Sequence, residues 1–347
     1  MAKRCAFGVV AFLAAFAAAG AFAQDTVMGD WQGTRKAADG KETPLVAQVI
    51  ALGDGNYQVN LLDEFDKRIP ALAVLKGTTA DGRTTFAGKA EKGDLKDTEW
   101  TATLSGDQLA GSFKGAASGT FELKRVVRLS PTFNAPPPEG AIVLFPGKPD
   151  DLVSEWQQRD GSPARFKLVP ATVQDKDGKV SDEKVMEATG GGIISRKQFT
   201  DFKAHVEFLL PLMPKARGQG RGNSGVYFQG RYEVQVLDSY GLEGRDNECG
   251  GIYGVGAPKV NMCRPPLQWQ TYDITFRAPR FDADGKKTKN ATATVLHNGV
   301  VIQDNIEVPN PTAAHWGGDP KTPGGLHLQD HGNPVQFRNI WVVEVKE

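Results

Sequence analysis

Cysteine is nearly absent from this chain, with three residues in 347. Cys5 lies in the N-terminal leader described below, which leaves Cys249 and Cys263, 14 positions apart. That spacing excludes a CxxC metal site, and in an oxidising compartment the two are expected to form one disulfide across the Gly-rich segment between them. Net charge is missing too. Lys plus Arg and Asp plus Glu number 41 each, so nothing argues for nucleic acid or a membrane surface as partner. Long apolar runs are confined to residues 6–19. Lys3 and Arg4 precede that run and Ala21-Phe22-Ala23 follows it as a small-x-small cleavage site, the pattern of a secretory leader over residues 1–23. The run is too short to span a bilayer, and nothing later approaches ~20 apolar residues. A periplasmic or secreted protein with no integral membrane segment after cleavage is expected. Cys5 sits in the charged part of the leader and is not a lipoprotein cysteine.

A helical period is lacking as well, and short strands and turns stand in its place. Between residues 25 and 130, LVAQVIAL (45–52) turns at Gly53-Asp54-Gly55 and returns as NYQVNLL (56–62). Further turns fall at Asp81-Gly82, Ser105-Gly106-Asp107 and Ala117-Ser118-Gly119. This punctuation predicts a small β-barrel or β-sandwich module, with Trp31 and Trp100 as core aromatics rather than sugar platforms. Three consecutive prolines within 131–140 mark a stiff linker and a domain border. Residues 141–347 carry eight or more candidate strands, at 142–145, 166–169, 192–195, 202–210, 272–277, 291–297, 326–331 and 337–345. Without a strong amphipathic helix, they fit a two-sheet jelly-roll sandwich. The fold class is all-β. Asp175-Lys-Asp-Gly178 and Asp282-Ala-Asp-Gly285 begin like calcium loops but lack the later acidic ligand, so they read as hairpin turns.

Chemistry concentrates in the stretch 222–241, GNSGVYFQGRYEVQVLDSYG. Its second half alternates: Arg231, Glu233 and Gln235 fall on one face and Tyr232, Val234 and Val236 on the other, the strand period. The same alternation gives His205 and Glu207 to one face of 202–210, and His327, Gln329 and His331 to one face of 326–331. If these strands are neighbours they form a concave polar surface suited to hydroxyl-rich ligands. Glu233 and Gln235 stand about 7 Å apart along a straight strand, within the span of the paired carboxyls of sugar hydrolysis, but an amide cannot ionise. Asp238 supplies a second carboxylate only through a bulge or bend. The order Glu-x-Gln-x-x-Asp resembles the bulged Glu-x-Asp-x-x-Glu of laminarinase-type glucanases with the middle carboxylate replaced. His331, beside Gln329 and before Gly332-Asn333-Pro334, is equally readable as a turn former and as a general acid or base.

Four stretches together carry a more specific resemblance: 222–241, CGGIYG (249–254), WQTYDITF (269–276), and LQDHGNP (328–334) running into FRNIW (337–341). They resemble the 3-keto-disaccharide hydrolase family, over about residues 141–347. The resemblance implies a concanavalin-like jelly roll and action on glycosides already oxidised at C3. A C3 ketone acidifies the C2 proton, so a base can drive elimination of the C1 substituent, followed by hydration, without a second carboxylate. On this reading Glu233 and His331 share the base and acid roles, with Asp238 as a second carboxylate. Arg231, Gln235, Gln329, His205, Glu207, Asn223, Tyr227 and Arg338 are the substrate-binding candidates. The resemblance fixes no cofactor; Arg231 or a bound divalent cation such as Ca²⁺ would face the enolate oxygen. The implied partner is a carbohydrate, an oxidised glycoside. A non-catalytic, lectin-like sugar-binding protein of the same fold is the alternative from another class.

Overall fold

The computed structural model describes residues 25–147, 149–175 and 177–346. The leader predicted over residues 1–23 therefore lies outside the described residues. The first eight strands, from Gly29–Ala37 to Gly119–Val126, form an antiparallel meander that closes on itself as a barrel. Closure brings Gly33 so near the last strand that a Cβ would sit 2.0 Å from the Glu122 carbonyl, which explains a glycine there. Asp81 and Gly82 both have positive φ, as a two-residue hairpin turn between twisted strands requires. Trp31 and Trp100 are buried inside, and Trp100 stacks on Phe113 at 4.5 Å.

The rest of the described chain is a two-sheet jelly-roll sandwich. One sheet has five strands, in the order Trp156–Gln157, Ile193–Ser195, His327–Leu328, Ser224–Phe228 and Tyr232–Val236. The other is built on Lys167–Gln174, Val180–Glu187, Gln336–Glu344, Phe202–Leu209, Trp269–Arg277, Ala291–His297 and Val300–Val308. Strand Ile142–Phe145 pairs with Gln336–Glu344. Alternation decides which side chains meet between the sheets. Val226, Phe228, Tyr232 and Val234 face Phe202, Phe208, Phe276 and Phe337 in one apolar cluster. Phe228 and Tyr232 both pack on Phe276, at 5.3 and 5.4 Å.

The proline-rich segment does not stand free of the sandwich. Phe133 is buried, the Thr132 hydroxyl donates to Asp273 at 2.6 Å, and the Asn134 N–H donates to Glu207 at 2.6 Å. Asp282-Ala-Asp-Gly285 is a turn closed by Asp282, and at the other Asp-x-Asp-Gly segment the Asp175 carboxylate accepts from the Lys179 N–H.

The cysteine expectation needs correction. Cys249 and Cys263 are free, buried thiols and are not joined. Each sulfur has a polar neighbour of its own, Cys249 the Tyr272 hydroxyl at 3.2 Å and Cys263 the Leu237 carbonyl. The thiol forms are therefore satisfied without a covalent bond.

Candidate functional site

The five-stranded sheet turns one face to the core and the other towards three loops. Cross-strand register puts three chemistry-bearing residues in one row on that second face: Glu233 pairs with Tyr227, and Tyr227 with His327. The row is roofed. The Thr312 hydroxyl accepts from the Glu233 N–H at 2.9 Å, the Tyr227 hydroxyl lies 3.2 Å from the Ala313 carbonyl, and the Trp316 ring packs, tilted, against His327 at 4.0 Å. On the other side, the loop before Ser224–Phe228 contributes Gln219 and the loop after Tyr232–Val236 contributes Asn247.

Glu233 is 3 % exposed. Its carboxyl lies over Gly225, where a Cβ would come 2.2 Å from Oε1, so a bare backbone makes room for it. Burial pushes its pKa up to about 8, partly opposed by a hydrogen bond from Tyr227. Gln235 stands beside it. With its amide nitrogen turned to Glu233 it donates to Oε1 at 3.1 Å and to the Ser224 carbonyl at 2.7 Å. The opposite orientation would face the amide oxygen with both acceptors. The groups flanking Glu233 are thus a phenol, an amide and a hydroxyl, none of them a carboxyl.

His327 has an unusual environment. It is buried between the Tyr227 and Trp316 rings, and neither ring nitrogen has a hydrogen-bond partner. Burial, with the nearby Arg159 charge, lowers its pKa to about 3, so the imidazole is neutral and keeps one free N–H. Gln329 completes the row by donating to the Tyr227 hydroxyl at 3.1 Å.

The other candidates divide by location. Asn223 lies at the edge of this face, its amide donating to Gln219. Arg231 is buried at the hairpin end of the strand pair, where it is bound to Gln229 and Thr322. Asp238 is buried in an ion pair with Arg221 at 2.5 Å, a clamp between the two ends of the strand pair. His331 is exposed in a turn closed by Asp330, beyond the end of strand His327–Leu328. His205, Glu207 and Arg338 belong to the other sheet. There His205 bonds Asp273 at 2.6 Å and Glu207 at 3.2 Å, and Arg338 pairs with Glu207 and Glu183, beneath the 130–135 segment. Although burial opposes charging of His205, its two carboxylate partners raise its pKa. A cavity of about 970 Å³ opens on that side and includes Arg338 and Glu183 but no residue of strand Tyr232–Val236.

Sequence reasoning placed His327 on the polar face but gave it no role, and it missed Thr312 and Trp316. These two lie in a Pro/Gly loop without periodicity; the half-buried tryptophan was the one available signal. As for Ca²⁺, no three His, Cys, Asp or Glu side chains among the described residues are grouped to hold a metal ion.

Comparison with known proteins agrees with this architecture. No curated protein matches the chain. A solved protein of Parabacteroides distasonis, described as a "putative glycosyl hydrolase", is 36 % identical over 60 % of this chain and 85 % of its own, with a TM-score of 0.50. A second from the same organism, described in the same words, is 19 % identical over 60 % of this chain and 95 % of its own, with a TM-score of 0.39. Residues 140–343 match the 3-keto-alpha-glucoside-1,2-lyase-like domain, and the chain belongs to that family.

Proposed function

We propose that the chain is an exported glycosidase-type enzyme that cleaves 3-keto-glycosides by elimination and hydration, with Glu233 as the base. The observation that carries this reading is a single buried carboxyl of raised pKa in one row with a neutral, unpartnered imidazole. A carboxylate base paired with a neutral imidazole electrophile suits proton abstraction next to a carbonyl, because the imidazole N–H can stabilise the enolate oxygen without surrendering its proton. Direct hydrolysis would instead need two carboxyls across the scissile bond.

In the proposed sequence Glu233, when ionised, takes the proton from C2. The electron pair of that C–H bond enters the enolate, whose oxygen accepts from His327. Collapse of the enolate forms the C1–C2 double bond and breaks the bond from C1 to the aglycone oxygen, which takes a proton from water as it leaves, and the hydroxide so formed takes the proton held by Glu233. Water then adds across the double bond, hydroxyl to C1 and hydrogen to C2. Tyr227, Gln235 and Gln329 orient the carboxyl and the sugar hydroxyls, and Trp316 offers an apolar face to the ring.

Turnover of a 3-keto-glucoside and of its unoxidised parent, run in D₂O, tests this directly. The expected result is cleavage of the oxidised glycoside alone, with deuterium appearing at C2 of the product. Equal turnover of both, or cleavage without label, would sink the elimination. Saturable binding without product would favour the lectin-like alternative.

A further inference from the structure

Both loops that meet over Gln235 are gripped from behind by the barrel. The first, residues 211–221, carries Gln219. Its Leu212 packs against the barrel's apolar cluster, Lys215 reaches Asp54 at 2.7 Å, and Arg217 donates to the Leu52 carbonyl at 3.2 Å. The second loop, residues 244–259, carries Asn247 and Tyr253. A single side chain from the barrel, Arg68, ties both ends of it. The Arg68 guanidinium donates from Nη2 to the Gly244 carbonyl at 2.8 Å and to the Pro258 carbonyl at 2.7 Å, and from Nε to the Lys259 carbonyl at 3.1 Å.

The two loops then close on each other. Gln219 Nε2 donates to the Asn247 carbonyl at 2.7 Å, while Gly250 and Gly251 pair through their backbones with Gln235, each at 2.9 Å. A chain of bonds thus runs from Arg68 through the 244–259 loop to Gln235, and from Gln235 to Glu233. The nearby Arg68–Glu243 pair, at 3.5 Å with Glu243 mostly exposed, is a weak surface contact and does not explain why the arginine is there. The three carbonyls do, since a guanidinium offers several donors in a fixed fork and charged donors make the stronger bonds.

We infer that the barrel is a positioning module for the Glu233 site and that Arg68 is its principal positioning residue, fixing the 244–259 loop against Gln235. Its catalytic consequence rests on the function proposed above; the placement of the loop does not.

The test compares full-length wild type with Arg68→Ala, Arg68→Lys and a control, Lys36→Ala, which removes an exposed ion pair with Glu42 elsewhere on the barrel. Hydrogen exchange followed by mass spectrometry should show amides of 245–257 exchanging about tenfold faster or more in Arg68→Ala, with the barrel strands and strand Phe202–Leu209 unchanged. On a 3-keto-glucoside, kcat should fall about tenfold with little change in KM. Arg68→Lys should recover part of both, because an ammonium can still reach one or two of the carbonyls. Unchanged exchange at 245–257, exchange that rises across the whole protein, or wild-type kinetics despite a loosened loop would each overturn the inference. If wild type turns over no 3-keto-glycoside, the proposed function fails alone, and the exchange measurement still decides the positioning.

Discussion

Glu233 connects stability, protonation and catalysis in one side chain. Its pKa rises from the usual 4.5 to about 8 on folding, so between those values the folded protein holds a proton that the unfolded chain has lost. Proton binding by the folded state alone means that this carboxyl's contribution to stability declines as pH rises through that window. Glu233→Gln should therefore gain stability relative to wild type from pH 5 to pH 8, by on the order of a few kcal/mol. Denaturant unfolding at the two pH values measures this, and an equal difference at both would show that the carboxyl is not held neutral. Catalysis runs in the opposite direction. A base must be ionised, so kcat/KM should climb with pH and level off above about 8. Glu233→Gln should lose on the order of a thousandfold in kcat or more. A profile that falls through pH 8 would instead make Glu233 the proton donor to the leaving group.

At the scale of elements, alternation along single strands was readable and the arrangement of strands was not. Period two correctly put Glu233 and Gln235 opposite Val234 and Val236, and the second group is in the core. Applied to 202–210 it correctly separated His205 and Glu207 from Val206 and Phe208. Both sheets of a sandwich carry the same local pattern, however, so nothing in the sequence put His205 and Glu207 on the other sheet. The same rule overreached at His331, because strand His327–Leu328 is only two residues long and the Asp330-His-Gly turn carries the ring outward. Cross-strand register, which lines up Glu233, Tyr227 and His327, depends on long-range pairing that no local pattern contains. One element does contain a local signal with a specific reason, the glycine at 225. Gly225→Ala would drive a methyl group to within 2.2 Å of Glu233 Oε1. The carboxyl must move, so kcat/KM should drop at least tenfold while the thermal midpoint shifts by only a few degrees. Unchanged kinetics would show that the carboxyl's position over this strand is not required.

For the whole molecule, the barrel and the sandwich should unfold together. Their contact is built like a core, whereas a linker between independent units would leave few contacts. Ile50, on a barrel strand, is part of the sandwich's apolar cluster. A partly buried polar network also joins the two: Tyr240 donates to Asp30 at 2.7 Å, Arg128 bridges Asp30 and Asp66 at 2.8 Å each, and Arg264 reaches Asp66 at 3.1 Å. Asp30 is fully buried, so losing a partner leaves a carboxylate that water cannot reach to compensate. Burial opposes the charge on Asp66, yet Arg264 and Arg128 hold its carboxyl below the usual range, which keeps Asp66 ionised at neutral pH. Calorimetry on the full chain should accordingly give one transition whose calorimetric and van't Hoff enthalpies agree. Tyr240→Phe removes a single hydroxyl and should cost about 1–3 kcal/mol, lowering that one transition without splitting it. Two resolved transitions in wild type, one for each sheet system, would show that the barrel folds and holds its place independently of the sandwich.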